Sequence, residues 1–363
     1  MMRRDFLVQL STAAPLAALA LQSPSAFANT PPETTAAWRT FDVVTSVDVA
    51  GADGATQLWL PVPLAHAGDY QKRTAIRFEA PGAQSARLVK VSGYDVEMLH
   101  VTWPDAKSVG HVELTSRVMT RDRHVDIAAR DRIPGDADLA PYLRPTLLLP
   151  TDGLVKATAE GVVKDQRSDV DKARALYEWV VDNTARDPKT RGCGVGDVNA
   201  MLQNGTMGGK CADINSLFVA LARSIRIPAR DVYGVRVADS RLGYNCLGKS
   251  GDISKAQHCR AEFYAQGRGW VPVDPADVRK VILEEQGGMP MENPKVQAAR
   301  KRLFGAWEMN WIAYNRGHDV ALPGSAKKAL PFLMYPNGET QGARLDSLDA
   351  STFRYSIHSN EVV

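Results

Sequence analysis

The sequence predicts an α+β protein in which an all-β sandwich is followed by a unit whose helices precede a sheet. Two observations predict it. Over residues 38–127 the apolar residues recur at every second position, in runs separated by turn-rich gaps. From Ser168 they recur at intervals of three and four, before short strand-like runs take over. A stretch rich in Pro, Asp and Gly, residues 134–150, lies between the two patterns and marks a boundary.

Taken in order, the first residues stand outside the fold. Arg3-Arg4-Asp5-Phe6-Leu7 is a twin-arginine start, followed by an apolar run over residues 13–21 and an A-x-A site at Ala26-Phe27-Ala28. Residues 1–28 therefore read as a cleaved export signal, which puts the mature chain in the periplasm or outside the cell. An ordinary secretory signal would lead to the same compartment. No later run is long and apolar enough to span a bilayer.

Residues 29–145 form the predicted β-sandwich: Phe41, Val43, Thr45, Val47 and Val49 alternate with more polar neighbours, and Val112, Leu114, Ser116 and Val118 repeat the pattern. His66, His100, His111 and His124 are scattered among these strands without a nucleophile or carboxylate motif, and read as surface or packing residues.

Residues 146–285 hold the helix-then-sheet unit. Ser168 and Asp169 cap a helix with Val170, Ala173, Tyr177, Val180, Val181 and Thr184 on one face, ending at Asp187-Pro188. The next helix starts at Cys211 and buries Ile214, Leu217, Phe218, Leu221, Ala222 and Ile225; Pro228 stops it. Strands are expected at residues 232–237, 261–264 and 270–273. The remaining residues, 286–363, make a mixed extension with a helix over 294–307 and a late strand near 353–357. Its Trp307, Trp311, Tyr314 and His318 are expected to pack it onto the main body.

Charge and composition exclude some functions. A formal net charge of +3 over 363 residues, with both signs interspersed, leaves no basic block for nucleic acid. The four cysteines, Cys193, Cys211, Cys246 and Cys259, contain no C-x-x-C pair, so their spacing argues against zinc. No calcium loop of the D-x-D-x-D-G kind occurs, and no cofactor is expected. In an exported protein these cysteines are free to form disulfides, and the sequence does not choose a pairing.

One stretch carries chemistry. In Gly208-Gly209-Lys210-Cys211, two glycines admit a close neighbour, and the cysteine falls in the first turn of a helix. There the unpaired N–H groups and the positive dipole end favour a thiolate and could hold an oxyanion. A base and its orienting carboxylate are available downstream. If Ala265-Gln266-Gly267 folds as a hairpin turn with Gly267 left-handed, residues 264 and 268 pair, and His258 comes opposite Asp274. Strand alternation would then point Cys259 away from His258 and from the site. Asp274 followed by Pro275 also reads as a helix cap.

At these residues the sequence resembles the transglutaminase-like superfamily. The blocks that carry the likeness are Tyr177-Glu178-Trp179-Val180, the segment from Gly208 through Cys211 to Ile227-Pro228-Ala229-Arg230, His258 with Glu262 four residues on, and Gly269-Trp270-Val271-Pro272-Val273-Asp274-Pro275. Leu58-Trp59-Leu60-Pro61-Val62-Pro63 is similar to the β-region of bacterial exported members. The resemblance implies a papain-like, transglutaminase-like core with a Cys211, His258, Asp274 triad: Cys211 attacks an amide or peptide carbonyl, His258 moves the proton, and Asp274 orients the imidazole. The expected partner is a protein or peptide substrate, peptidoglycan peptides among them, with hydrolysis favoured over glutamyl transfer to an amine. The alternative from another class is a non-catalytic binding or scaffolding protein. Arg260 stands where many members carry an aromatic residue, and is expected to meet either an acidic substrate group or a nearby carboxylate. Gln203, eight residues before Cys211, is the candidate oxyanion donor.

Overall fold

Alternation in the first described segment produces β1 (Arg39–Asp48), whose Phe41, Val43, Thr45 and Val47 are buried while the residues between them are not. The computed structural model describes residues 37–48, 54–105, 111–128, 138–205 and 207–362; the expected export signal, Val49 and the start of the boundary stretch lie outside the described residues.

Seven further strands follow: β2 (Thr56–Pro61), β3 (His66–Ala67), β4 (Gln71–Glu79), β5 (Ser85–Val91), β6 (Val96–Trp103), β7 (His111–Thr120) and β8 (Arg123–His124). Next come α1 (Gly153–Val163), α2 (Asp169–Asn183), β9 (Ala185–Arg186), α3 (Val198–Gln203), β10 (Gly208–Gly209) and α4 (Cys211–Ser224). The chain continues through β11 (Ala229–Arg236), β12 (Gly251–Asp252), β13 (Gln257–Ala265), β14 (Gly269–Val273), α5 (Pro275–Glu284) and α6 (Pro294–Arg302). The last strands are β15 (Ala306–Trp307), β16 (Trp311–Asn315), β17 (Asn337–Thr340), β18 (Ala343–Arg344) and β19 (Arg354–Val362).

These strands build two large β-sheets and a core sheet. The first runs β12-β19-β1-β7-β4-β3 and the second β18-β17-β2-β6-β5. Val47, Val112 and Leu114 of the first interleave with Leu58, Leu60, Leu99, Val101 and Trp103 of the second, which makes the predicted sandwich. The core sheet is antiparallel, β14-β13-β11-β16. One face carries α4, with Phe218 edge-on to Phe263 at 6.3 Å. The opposite face packs Val232, Trp311 and Ala313 against Leu64, Ala67 and Tyr70, while on the helix side Phe41, Val43 and Val118 of the first sandwich sheet meet Val235, Ile312 and Tyr314. Such a sheet, covered on both faces, has every residue of β11 and β13 buried. The fold is thus mixed α and β, with a helix-covered core sheet beside a β-rich region.

The C-terminal residues differ from the sequence expectation in detail. The helix begun at Pro294 ends at Arg302, and residues 306–307 form β15 instead, paired with β8. The late strand is longer than expected and runs antiparallel between β1 and β12, with Thr40 opposite Val362 and Asp252 opposite His358. Its alternating exposed residues hide it from a reading based on apolar runs. Trp307, Trp311, Tyr314 and His318 are buried as expected, Trp311 within the core sheet itself.

Candidate active site

Every residue of α4 is buried, so each polar side chain on it needs a partner. Arg223 donates from Nε to the Ala229 carbonyl at 2.8 Å and from Nη1 to the Arg144 carbonyl at 3.0 Å. Asp213, in the first turn, accepts from the N–H groups of Lys210 (2.9 Å), Val195 (3.0 Å) and Gly196 (2.9 Å). This caps the helix and ties the loop before α3 to its N-terminus. A Cβ at Gly194 or Gly209 would strike the Asp213 carboxylate. The glycine at 209 is therefore required by a contact inside the protein. Gly208 has more room and pairs with Ala185.

Cys211 opens the helix and is 3% exposed. Its thiol interacts with the thiols of Cys193 and Cys259 and with the His258 imidazole. Cys259 is a correction to the sequence expectation. Alternation separates the side chains of Cys259 and His258, but it does not say which sheet face α4 covers. The helix covers the face carrying Cys259, Ala261 and Phe263. All four cysteines are free thiols; Cys246 lies apart, with its N–H on Glu285 Oε2 at 3.0 Å.

The hairpin also has a different register from the expected one. Tyr264 faces Trp270 and Ala261 faces Val273, two residues from the predicted pairing, because the loop is Gln266-Gly267-Arg268 and not Ala265-Gln266-Gly267. Gly267 is left-handed as predicted, at φ 80°. A shift of two preserves the face, so the His/Asp pair survives as a diagonal one: His258 Nε2 lies 2.7 Å from Asp274 Oδ2. Asp274 is also the cap of α5, its Oδ1 accepting from the Asp277 N–H at 3.0 Å. Both readings of that residue are realised, one on each oxygen.

Asp277 and Asn215 join the site although the sequence reading does not single them out. Asp277 Oδ1 is 3.3 Å from His258 Nε2 and 2.5 Å from Arg236 Nη2. Asn215, one turn after Cys211, donates to the Cys259 carbonyl at 2.9 Å and to Asp274 Oδ1 at 3.3 Å, linking α4 to both strands of the hairpin. Asp277 follows Asp274 by three residues, the spacing of a first-turn acid, which was the available clue. Arg260 is buried with Nε 3.6 Å from Asp274 Oδ2 and its guanidinium over Trp311, so within the protein it pairs with a carboxylate. Gln203 is exposed at the end of α3. His66, His111 and His124 are exposed, and His100 stacks on Trp59.

The electrostatics favour a charged pair. The Cys211 thiol is held well below the ordinary range, most strongly by the hydrogen bond from Cys193, then by those from Cys259 and His258, against the opposing effect of burial. Cys193 and Cys259 are pushed up, Cys193 mainly through its bond to Cys211 and Cys259 mainly through burial, and so both remain donors. Burial acts to lower the His258 pKa, but the Asp277 carboxylate and then Asp274 outweigh it, and the imidazole lies above its usual value. Burial and the nearby Asp277 charge raise Asp274. Asp277 itself stays ionised despite burial, because Arg236 is beside it. His258, Asp274 and Asp277 place ligand atoms within 4.8 Å of one another, a spacing that fits a metal ion. The Arg236 and Arg260 guanidinium groups against the same carboxylates make that a poor cation site.

The family profile described as Transglutaminase-like superfamily matches residues 156–275. A protein of Haemophilus influenzae, called uncharacterized, is 36% identical over 341 residues, covering 89% of this chain and 90% of its own. A protein from Cytophaga hutchinsonii, provisionally named a cysteine protease, superposes with a TM-score of 0.56 over 90% of this chain and 92% of its own, at 14% identity. The periplasmic domain of TgpA from Pseudomonas aeruginosa matches 66% of this chain and 92% of its own, with a TM-score of 0.37 and 15% identity.

Proposed function

Because this chain belongs to the transglutaminase-like superfamily, we propose that it is an exported thiol enzyme acting on peptide or amide bonds through Cys211, His258 and Asp274. The observation that carries this reading is a thiol at the first residue of a buried helix, in contact with an imidazole whose far nitrogen is 2.7 Å from a carboxylate. The Cys211 thiolate attacks the substrate carbonyl, and the Cys211 N–H, at the N-terminus of α4, receives the developing oxyanion. His258, whose pKa Asp277 and Asp274 raise, gives a proton to the leaving amine, which leaves a thioester on Cys211. Water activated by the now neutral imidazole then releases the acid. Asp274 fixes the tautomer and ring orientation throughout. Hydrolysis is preferred to transfer onto an amine, because no site for an acceptor lysine is visible in the sequence. The twin-arginine leader, residues 1–28, delivers the chain to the periplasm, where peptidoglycan peptides and secreted proteins are the available substrates. Among the described residues no helix is long and apolar enough to cross a membrane.

The test is the intact mass of the reduced mature protein after incubation with a set of peptide vinyl sulfones and chloromethyl ketones. A single adduct, lost in Cys211→Ala and in His258→Ala, is expected. No adduct on wild type would favour the binding-protein alternative. With the preferred peptide as an amide substrate, release of free acid supports hydrolysis. Incorporation of a dansylated amine in its place would make the protein a transferase.

A further inference from the structure

Residues 191–196 read Arg-Gly-Cys-Gly-Val-Gly, and Gly192, Gly194 and Gly196 have φ of 56°, 91° and 78°. Glycines in this region let a loop change direction without the strain a Cβ would bring. The loop lies over the nucleophile. The Cys193 carbonyl accepts from the Ala212 N–H at 2.9 Å, which sets the main chains of Cys193 and Cys211 side by side. Val195 and Gly196 hang on Asp213, two residues into the helix. From the other side residues 335–348 hold the loop down. Arg191 pairs with Asp346 at 2.5 Å. Where a Cβ on Gly192 would stand, a Leu348 methyl lies 2.8 Å away and the Tyr335 hydroxyl 2.9 Å away. The Cys193 thiol is buried with the Cys211 thiol as a neighbour, and reaches the Gln257 carbonyl at 3.3 Å.

We infer that Cys193 and Cys211 are a reversible thiol/disulfide pair, by which a peroxide closes the site and a dithiol reopens it. The inference that closing silences an enzyme rests on the function proposed above. Cys211 is the attacking sulfur, since it is the thiolate of the pair. It displaces hydroxide from hydrogen peroxide and becomes a sulfenic acid. The Cys193 sulfur then attacks the sulfenic sulfur, an S–S bond forms, the S–O bond breaks, and the hydroxide leaves with the thiol proton as water. Two thiols lose two electrons in total and one peroxide becomes two waters. An external dithiol reverses the change by exchange.

Cys259 is the competing partner, and its surroundings disfavour it. It lies mid-strand in β13, paired across to Tyr233 of β11, with its carbonyl held by Asn215. Bringing two Cβ atoms to the separation of a disulfide requires one main chain to give. Cys193, flanked by Gly192 and Gly194, is on the chain that can move.

The experiment treats the reduced full-length mature protein with stoichiometric hydrogen peroxide, quenches with N-ethylmaleimide under denaturing conditions, and reads intact mass and a peptide map. The expected result is the loss of two hydrogens, one cross-linked peptide joining Cys193 to Cys211, and recovery of both thiols with dithiothreitol. Cys259→Ser keeps the cross-link. Cys193→Ser loses it, and on adding a second equivalent of peroxide its Cys211 proceeds to a sulfinic acid that dithiothreitol does not reverse. A cross-link to Cys259 in wild type, or no cross-link, overturns the inference. The map needs no turnover, so the two readings fail separately. Reduced protein that ignores vinyl sulfone but forms the cross-link removes the proposed function alone. Protein that labels when reduced but forms no cross-link removes the disulfide alone.

Discussion

Asp274 uses its oxygens for different tasks, Oδ1 capping α5 and Oδ2 meeting His258, and this division gives a selective variant. Asp274→Asn keeps a capping oxygen but turns an N–H donor toward Nε2, which forces the other imidazole tautomer. On the proposed mechanism, activity falls by roughly 10³- to 10⁴-fold, while the thermal midpoint stays near that of wild type. An equal loss of both would mean that the residue is only a cap. The shifts of Cys211 and His258 have opposite signs and act together. The lowered thiol pKa extends the thiolate to lower pH, and the raised imidazole pKa extends the imidazolium to higher pH, so both shifts widen the pH range of the charged pair. Alkylation by iodoacetamide should therefore be nearly as fast at pH 6 as at pH 8, where an ordinary thiol would lose roughly 10²-fold in rate between them. Asp277→Asn removes a charge that raises the His258 pKa, and the alkaline limb of activity should move to lower pH. A purely structural role would lower the rate equally at every pH. Cys211, His258 and Asp274 were legible because each has a local signal: a helix start, a strand, a cap before proline. Asn215, Asp277, Cys193 and Cys259 lacked one, since their partners depend on which sheet face α4 covers.

At the scale of elements, Glu262 shows why β13 carries a charge four residues after His258. It is fully buried, accepts from Arg230 Nε at 2.6 Å on Oε2, and pairs with Arg123 of β8 through Oε1. Arg230 in turn lies over the Trp270 ring at 3.6 Å. This acid joins two core strands to the strand that leaves the sandwich. Glu262→Ala would strand two buried guanidinium groups and should cost about 3–5 kcal/mol, read by chemical denaturation. A cost near that of an exposed ion pair would show that water reaches the arginines. The elements differ in how readily they were found. α2 and α4 announce themselves by period and caps, and the hairpin by its glycine turn. The hairpin register was two residues off because sequence does not say where the turn tightens. α4 reads as amphipathic, yet it is buried all round, because its polar residues are spent on capping and on tying loops.

For the whole molecule, the sandwich and the core sheet were recognisable as separate patterns, whereas their connections were not. Pairing of β1 with β19, of β2 with β17 and of β11 with β16 joins residues too far apart in the chain for any local period to predict. Deleting residues 354–362 exposes the edge of β1 and removes Ile357 from the cluster that joins the first sandwich sheet to the core sheet. That deletion should abolish the cooperative thermal transition; a shortened chain that still melts sharply would mean that the strand is an ornament.

The position of β19 beside β1 sets an order in time. β1 leaves the ribosome long before its neighbour β19, so the first sheet stays open while the strands and helices between them are made. Over that interval the nascent protein presents an open strand edge and needs protection from its fellows. The same adjacency brings the start and finish of the described chain to one edge of one sheet, Thr40 against Val362. A short peptide could therefore join the two ends, and new ends could be cut elsewhere on the surface, which would remove the wait by placing β1 and β19 next to each other in the order of synthesis.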